Sequence, residues 1–541
     1  MCGIWAVFGI KLPNEESIKK CVEKLHNRGP EFMKIQNFGS ATLGFTRLAI
    51  NGLTENGHQP LVKDDIAVVC NGEIYNYKDL AKRWSIDLPE GSSDCEVLPA
   101  LLSKLDPTDV CRALDGVFAF VAVDLKRGTI TIARDPYGVR PLYIGRGDGF
   151  QVFSSEIKAL TPICERIEVF PPGSWYSFIL PKEGDKEVGM CGFGYHQIPW
   201  IKNPVLSDLA TSCLFLRKTF ELAVEKRLMS DRPIGALLSG GLDSSLVCAV
   251  AAKYLKQQNK KLTTFSIGMP GSTDLVYAKT VADFIKSDHH EIILKEEDFF
   301  TAITEVIRAA ETYDITSVRA SVGNWLIGKY IKANTDIKVI FNGDGSDEIG
   351  GGYLYFYRAP NDEEFEAESE RLLKDINSFD VLRSDRSMAD HGLEARTPFL
   401  DKQLVNLWRS IPTELRRPNL ENKRPEKYIL RMAFDDSRLL PHEVLWRKKE
   451  AFSDGVSATE EPWHAKIDKY VRSMNPNIDD ELKNASQNYP FNTPKTAEAL
   501  TYRKIFESLY GAKSVRVIPY MWMPRWSPET TDPSARTLSL Y

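Results

Sequence analysis

The chain has 541 residues, 43% of them hydrophobic, and a formal net charge of -5 at pH 7. That length is too great for one core and predicts two or three domains, while the mild acidity, with basic clusters no larger than Arg447-Lys448-Lys449, argues against nucleic acid as a partner. Nine cysteines lie scattered, without disulfide-framework or CxxC spacing, and no apolar run approaches the ~18 residues of a membrane span; the sequence predicts free thiols, a cytoplasmic location and no membrane contact.

The chain opens Met1-Cys2-Gly3-Ile4-Trp5. If Met1 is removed, Cys2 carries a thiol and a free α-amine on one carbon, and that amine, with an ordinary pKa of about 8, can act as the thiol's general base. Read alone, a cysteine here is ordinarily a small hydrophobe starting a strand. The apolar run Ile4 to Ile10 lacks a basic start and a cleavage site, so it reads as a buried strand. Short β-type runs follow at Ala67 to Cys70, Val117 to Val123, Thr129 to Ala133 and Gln151 to Ser154, with helical stretches near 15 to 27 and 95 to 104. Together they predict a mixed sheet with packed helices. Pro181, Gly184, Gly189, Gly192, Gly194, Pro199 and Pro204 predict an irregular connection. The division is therefore 1–185, a connecting segment 186–208, and 209–541.

Beyond it, helical periods such as Leu209 to Ser230 alternate with buried runs at Ile234 to Leu238, Leu262 to Ile267 and Lys338 to Phe341, which predicts a parallel α/β sheet. From about 360 the pattern is mostly helical, and Pro528 to Tyr541 reads as an irregular tail. The run ending at Leu238 leads into Ser239-Gly240-Gly241-Leu242-Asp243-Ser244-Ser245 and a helix at Leu246 to Tyr254. Glycine amides, serine hydroxyls and a helix N-terminus suit a phosphate; no Lys-Ser/Thr follows, so this is not a Walker A loop. Asp243 beside a phosphate makes sense with Mg2+ between them. A second carboxylate-rich loop, Asn342-Gly343-Asp344-Gly345-Ser346-Asp347-Glu348, follows Phe341.

The first loop resembles the pyrophosphate loop (PP-loop) of ATP pyrophosphatases; with Cys2 and the second loop, the whole chain resembles the glutamine-dependent asparagine synthetase family in its eukaryotic form, down to the tail string Asp532-Pro533-Ser534-Ala535-Arg536-Thr537. The resemblance implies an N-terminal class II glutamine amidotransferase domain with the αββα sandwich of Ntn hydrolases, then a parallel-sheet ATP pyrophosphatase α/β domain. It also implies ATP and Mg2+ as cofactors, glutamine and aspartate as substrates, ammonia as an internal intermediate, and a homodimer. His26-Asn27-Arg28-Gly29-Pro30-Glu31 is similar to a family string in which Asp is usual at Glu31.

Residue by residue, the resemblance makes Cys2 the nucleophile and Arg47, in Arg47-Leu48-Ala49-Ile50-Asn51, the grip on the glutamine carboxylate, suited to bidentate pairing. Asn71 and Gly72 become oxyanion donors, and Glu73 and Asp94 hold the other polar ends of glutamine. Leu237, Ser239, Gly240, Gly241, Asp243, Ser244, Ile267, Asn342 and Gly343 become ATP contacts. Asp243 and Asp347 handle Mg2+, Lys449 neutralises phosphate charge, and Glu311 to Asp314 with Arg319 fall near the acceptor site. Singly, Asn71-Gly72 is ordinarily a turn, Arg47 a surface ion pair, Asp94 a helix cap, Leu237 and Ile267 strand core, and Lys449 solvated surface. The second loop departs from the family's SGEGSDE at Asn342 and Asp344. Aspartate keeps the carboxylate that assists adenylate formation but shortens its reach by about 1.5 Å. The alternatives are an amidotransferase that adenylates another carboxylate, and a non-catalytic homologue.

Overall fold

A computed structural model of the chain describes residues 1–182, 185, 189–200, 203–450, 463–528 and 530–533. Among these, the first domain has twelve strands: β1 (Gly3–Gly9), β2 (Phe32–Phe38), β3 (Ala41–Arg47), β4 (Leu61–Lys63), β5 (Ile66–Ile74), β6 (Gly116–Asp124), β7 (Thr129–Arg134), β8 (Tyr143–Gly147), β9 (Phe150–Ser154), β10 (Arg166–Val169), β11 (Ser174–Ile179) and β12 (Met190–Gly194). They form two antiparallel six-stranded sheets, ordered β10-β8-β9-β1-β3-β2 and β12-β11-β7-β6-β5-β4.

Side-chain alternation explains the layering. In β1, Ile4, Ala6 and Phe8 point between the sheets toward Val69, Val121 and Ile132, whereas Trp5 and Val7 point outward beneath the helix Glu15–Glu23. In β6, Ala119 and Val121 face inward, and Phe118 and Phe120 face Leu98 and Leu101 of the outer helix Val97–Lys104. A strand buried on both faces carries no polar alternation, as the sequence Gly3 to Gly9 shows. The layers therefore run helix, sheet, sheet, helix.

The segment expected to be an irregular connection contains β12, which pairs with β11 from Ser174↔Gly194 to Phe178↔Met190. Its glycines read as turn signals, but Gly192 lies against the Tyr176 ring, where a Cβ would meet Cδ1 at 2.4 Å. The first domain's sheet thus continues to Gly194, and Tyr195 is buried in that domain's core. Residues 186–188 and 201–202 of that segment, and 529 and 534–541 of the expected tail, lie outside the described residues.

The second domain holds β13 (Ile234–Leu237), β14 (Thr263–Gly268), β15 (Asp288–Ile293), β16 (Val339–Phe341) and β17 (Glu394–Arg396) in one sheet, ordered β15-β14-β13-β16-β17. Every neighbouring pair is parallel. Helices Leu242–Gln257 and Thr273–Ile285 cross between strands, and a mostly helical region follows from Asp362. Open parallel sheets place ligands beyond the carboxyl ends of their strands. Both motif loops lie there, after β13 and after β16.

Candidate functional site

In the first domain Cys2 precedes β1, is half-buried, and its thiol faces the Leu48 carbonyl at 3.6 Å. Burial pushes that thiol up to about 11, even with the chain's N-terminus and Arg47 favouring the thiolate. With Met1 in place, its α-ammonium is buried beside the Leu393 carbonyl at 3.4 Å, and desolvation lowers it to about 6. A thiol so disfavoured as an anion needs a base at hand.

Asn71-Gly72 is not a turn. Both residues lie within β5, paired to Ala119 and Phe118, and a Cβ on Gly72 would meet the Val117 carbonyl at 2.4 Å. Strand alternation puts Asn71 and Glu73 on the inter-sheet side, the side against which Cys2 packs. The Asn71 amide nitrogen is buried with no hydrogen-bond partner among the described residues. Glu73 takes Asn51 Nδ2 at 2.5 Å and Arg396 at 3.2 Å. Burial, then Glu394 and Asp94, raise its carboxyl well above the usual range; burial raises Asp94 to about 6 although Ile74 N–H donates to it at 2.6 Å. The helix cap belongs to Ser93, not Asp94. Arg47 is buried and donates to the carbonyls of Thr54 and Gly52, so it is no surface ion pair.

The segment from Arg47 to Gly52 is held from the second domain, a point the sequence did not reveal. Arg232 donates to the Ala49 carbonyl at 2.9 Å, the Asp231 N–H donates to that of Ile50, and the Asp231 carboxylate accepts from Gly52 N–H at 2.8 Å. Leu48 and Ile50 pack into the second domain's core.

Beyond β13, β14 and β16 lies a cavity of about 200 Å³. Leu237, Ser239, Gly241, Asp243, Ser244, Ile267, Asn342, Gly343, Asp344, Asp347 and Lys449 all line it. Gly240 does not. It turns to helix Thr273–Ile285 at φ +73, where a Cβ would lie 2.4 Å from Ala278 N, so its role is close packing. The predicted acceptor stretch is also absent from the lining: Glu311 accepts from the Ile157 and Lys158 amides, Asp314 caps helix Ile315–Asn334, and Arg319 is held by Glu498 and Asp532. Thr316 and Ala320 of that helix line the cavity instead.

At the cavity's polar end carboxylates and ammonium groups alternate. Lys427, which no motif marked, is 1% exposed and reaches Asp243 at 2.6 Å and Asp347 at 2.5 Å; Lys449 reaches the other Asp347 oxygen at 2.6 Å. Burial opposes the Asp347 carboxylate, yet the two lysines hold it below the ordinary range; burial likewise opposes the Lys449 ammonium, which Asp347 and Asp243 hold above its ordinary value. Lys427 stands immediately before the helix Tyr428–Phe434, and no sequence signal marks it. Asp344 lies 3.6 Å from Arg383, its second oxygen is buried without a partner, and burial raises its carboxyl despite Arg383. Glu348 accepts from Tyr353 and lies beside Asp380. Ala451 to Gly455, after Lys449, lie outside the described residues.

Among the described residues no three His, Cys, Asp or Glu side chains form a closed metal cage. Two carboxylates at a phosphate-shaped loop suit Mg2+, which commonly takes one or two protein carboxylates and fills its shell with phosphate and water.

Residues 1–172 match the glutamine amidotransferase domain family, and residues 216–369 and 358–529 match the asparagine synthase family. The chain is 44% identical over 570 residues to the glutamine-hydrolysing asparagine synthetase of Gallus gallus, covering 100% of this chain and 99% of that protein. It is 43% identical over 571 residues to the one of Homo sapiens, with the same coverage. The chain belongs to the glutamine-hydrolysing asparagine synthetase family. A solved structure of an allosteric regulatory enzyme of purine biosynthesis aligns with a TM-score of 0.31 and 16% identity, over 54% of this chain and 80% of that one, too low to add to the fold. Both matched regions sit on one chain here, and the structure packs them through a buried seam.

Proposed function

We propose that the chain makes asparagine from aspartate, drawing nitrogen from glutamine at one centre and spending ATP at the other. The carrying observation is the alternating array Asp243, Lys427, Asp347 and Lys449 at the mouth of β13 and β16. Once Met1 is removed, the Cys2 α-amine takes the thiol proton and the sulfur attacks the glutamine amide carbon. Asn71 and Gly72 donate to the oxyanion, ammonia leaves, and water cleaves the thioester to glutamate. Glu73 and Asp94 receive the glutamine α-ammonium, whose arrival stabilises carboxylates that burial disfavours. Arg47 turns from carbonyls to the incoming carboxylate.

In the second centre Leu237 and Ile267 flank the base, the Ser239 to Ser244 loop holds the phosphates, and the aspartate side-chain carboxylate displaces pyrophosphate to become an acyl adenylate. Mg2+, held by Asp243 and Asp347, would neutralise phosphate charge. Lys427 and Lys449 carry the rest of that charge. Asp344, a shorter carboxylate than the family's usual glutamate, takes a proton as ammonia displaces AMP. No helix among the described residues is long and apolar enough to cross a membrane, and all nine cysteines are free, which supports a reducing cytoplasmic setting. The homodimer implied by the resemblance is decided by the mass of the purified chain in solution.

The test measures asparagine and pyrophosphate from aspartate and ATP-Mg, with glutamine or ammonium, on protein whose N-terminus is Cys2. Equal amounts of the two products from either nitrogen source are expected. Glutamate release without asparagine would refute the acceptor and leave the first centre standing.

A further inference from the structure

The string Asn27 to Glu31 has no role in the chemistry above, yet every polar side chain that it turns inward crosses to the second domain. Asn27 Nδ2 donates to Asp390 at 2.9 Å, and Glu31 bridges Ala49 N–H at 2.7 Å and Arg232 at 2.8 Å. Between them Arg28 is 0% exposed. Its Nε donates to the Cys2 carbonyl at 2.9 Å, its two terminal nitrogens grip Asp385 at 2.7 and 3.3 Å, and one of them also meets Glu156 at 3.1 Å. Gly29 is required for this approach, since a Cβ there would strike the Thr46 carbonyl carbon at 2.2 Å.

An ordinary residue is anchored by peptide bonds on both sides. A residue at the N-terminus has one, and Cys2 lies outside the ladder of β1, so its carbonyl is the remaining backbone handle. Fixing that carbonyl fixes the peptide plane and the place of Cα, so that only rotation about the Cα–C and Cα–Cβ bonds remains to bring the amine and the thiol to the glutamine amide. Arg28 does the fixing. Its guanidinium is a rigid fork, and a fork is aimed by whatever holds its far side. That far side is Asp385, on helix Asp380–Ala389 of the second domain.

We propose that Asp385 is a positioning residue of the glutaminase centre, supplied by the synthetase domain: it aims Arg28, which aims Cys2. Asp385 touches none of the reacting atoms, and among the described residues it does not line the ATP cavity. The helix that carries it also carries Arg383, two residues earlier, against Asp344. One rigid element therefore supplies a carboxylate to Arg28 at one centre and a guanidinium to Asp344 at the other.

This inference rests on the two-centre reading, and the assay separates the two. Asp385→Asn and Asp385→Ala, processed to Cys2, are compared for glutamate release from glutamine and for asparagine made from ammonium in the same preparation. The ratio of the two rates does not depend on how much of the sample is folded. A displacement of about 1 Å at a reacting group can cost about 100-fold; glutaminase kcat is expected to fall about 10- to 100-fold while KM for glutamine and the ammonium-dependent rate stay within about 3-fold. Asparagine, which keeps one acceptor for Arg28, should retain more than alanine. Arg28→Lys leaves the buried carboxylates paired but removes the fork, and covers the case in which Asp385 variants do not fold. An unchanged ratio in either position, or a loss shared equally by both activities, overturns the proposal. No glutamate release by the parent protein would instead overturn the assignment of the first centre.

Discussion

Replacing Lys427 by methionine removes one ammonium from between two carboxylates and leaves the side-chain volume nearly unchanged. Lys427 Nζ lies 2.6 Å from Asp243 and 2.5 Å from Asp347, with its side chain 1% exposed. At an effective dielectric constant of about 20 each contact is worth roughly 6 kcal/mol by Coulomb's law, most of it offset by desolvation of the lysine. Removing one partner of a buried pair commonly costs about 3–5 kcal/mol, because the other charge stays behind. Two carboxylates would then face each other with only Lys449 to share. The second domain should unfold at lower denaturant, and asparagine synthesis from ammonium should fall about 100- to 1000-fold, the scale of losing one charge-stabilising donor. Glutamate release from glutamine should persist. The exposed pair also becomes a better divalent site, so millimolar Mg2+ should raise the variant's stability more than the parent's. A variant that keeps its synthetase rate, or whose stability ignores Mg2+, would refute the electrostatic account of this array.

Cys2→Ala should abolish glutamine-dependent synthesis and spare ammonium-dependent synthesis, read as asparagine formed from each nitrogen source. Asp344→Glu restores about 1.5 Å of reach to a carboxylate whose second oxygen has no partner, so synthesis should be retained or faster, measured as the rate of asparagine and pyrophosphate formation; a dead variant would show the loop is built around aspartate. Asp94 is held at about 6, so below pH 6 it protonates and releases the glutamine ammonium; KM for glutamine should rise up to tenfold per unit, and Asp94→Asn should flatten that profile. The stability sign is the reverse of an ion-paired carboxylate: because the folded value lies above the unfolded one near 3.9, Asp94 favours folding at low pH, and that contribution is lost as pH rises through 6.

Much of both centres could be read from strings, because loops that cradle phosphate or present a nucleophile need particular residues in consecutive places. Ser239 to Ser244 and Asn342 to Asp347 are of that kind, and all but Gly240 of the expected contacts line one cavity. Asn71-Gly72 misleads as a dipeptide since turn preference is local, whereas its strand conformation is imposed by β6 alongside. Gly192 and Gly194 mislead for the same reason. Lys427, Arg232, Asp385 and Arg396 were invisible because each acts through a partner remote in sequence: Lys427 and Asp243 are 184 positions apart. A lysine's neighbours in the chain say nothing of the carboxylates that will surround it.

The distribution of thiols gives the molecule an internal standard. Seven of the nine cysteines are buried, Cys191 stands exposed on the edge strand β12, and Cys2 sits half-covered at the first centre. An alkylating reagent should therefore mark Cys191 in every copy, whatever its N-terminal processing, and mark Cys2 according to whether a base stands beside it. The ratio of the two adducts by mass spectrometry counts the fraction of chains ready to turn over, without any substrate being added.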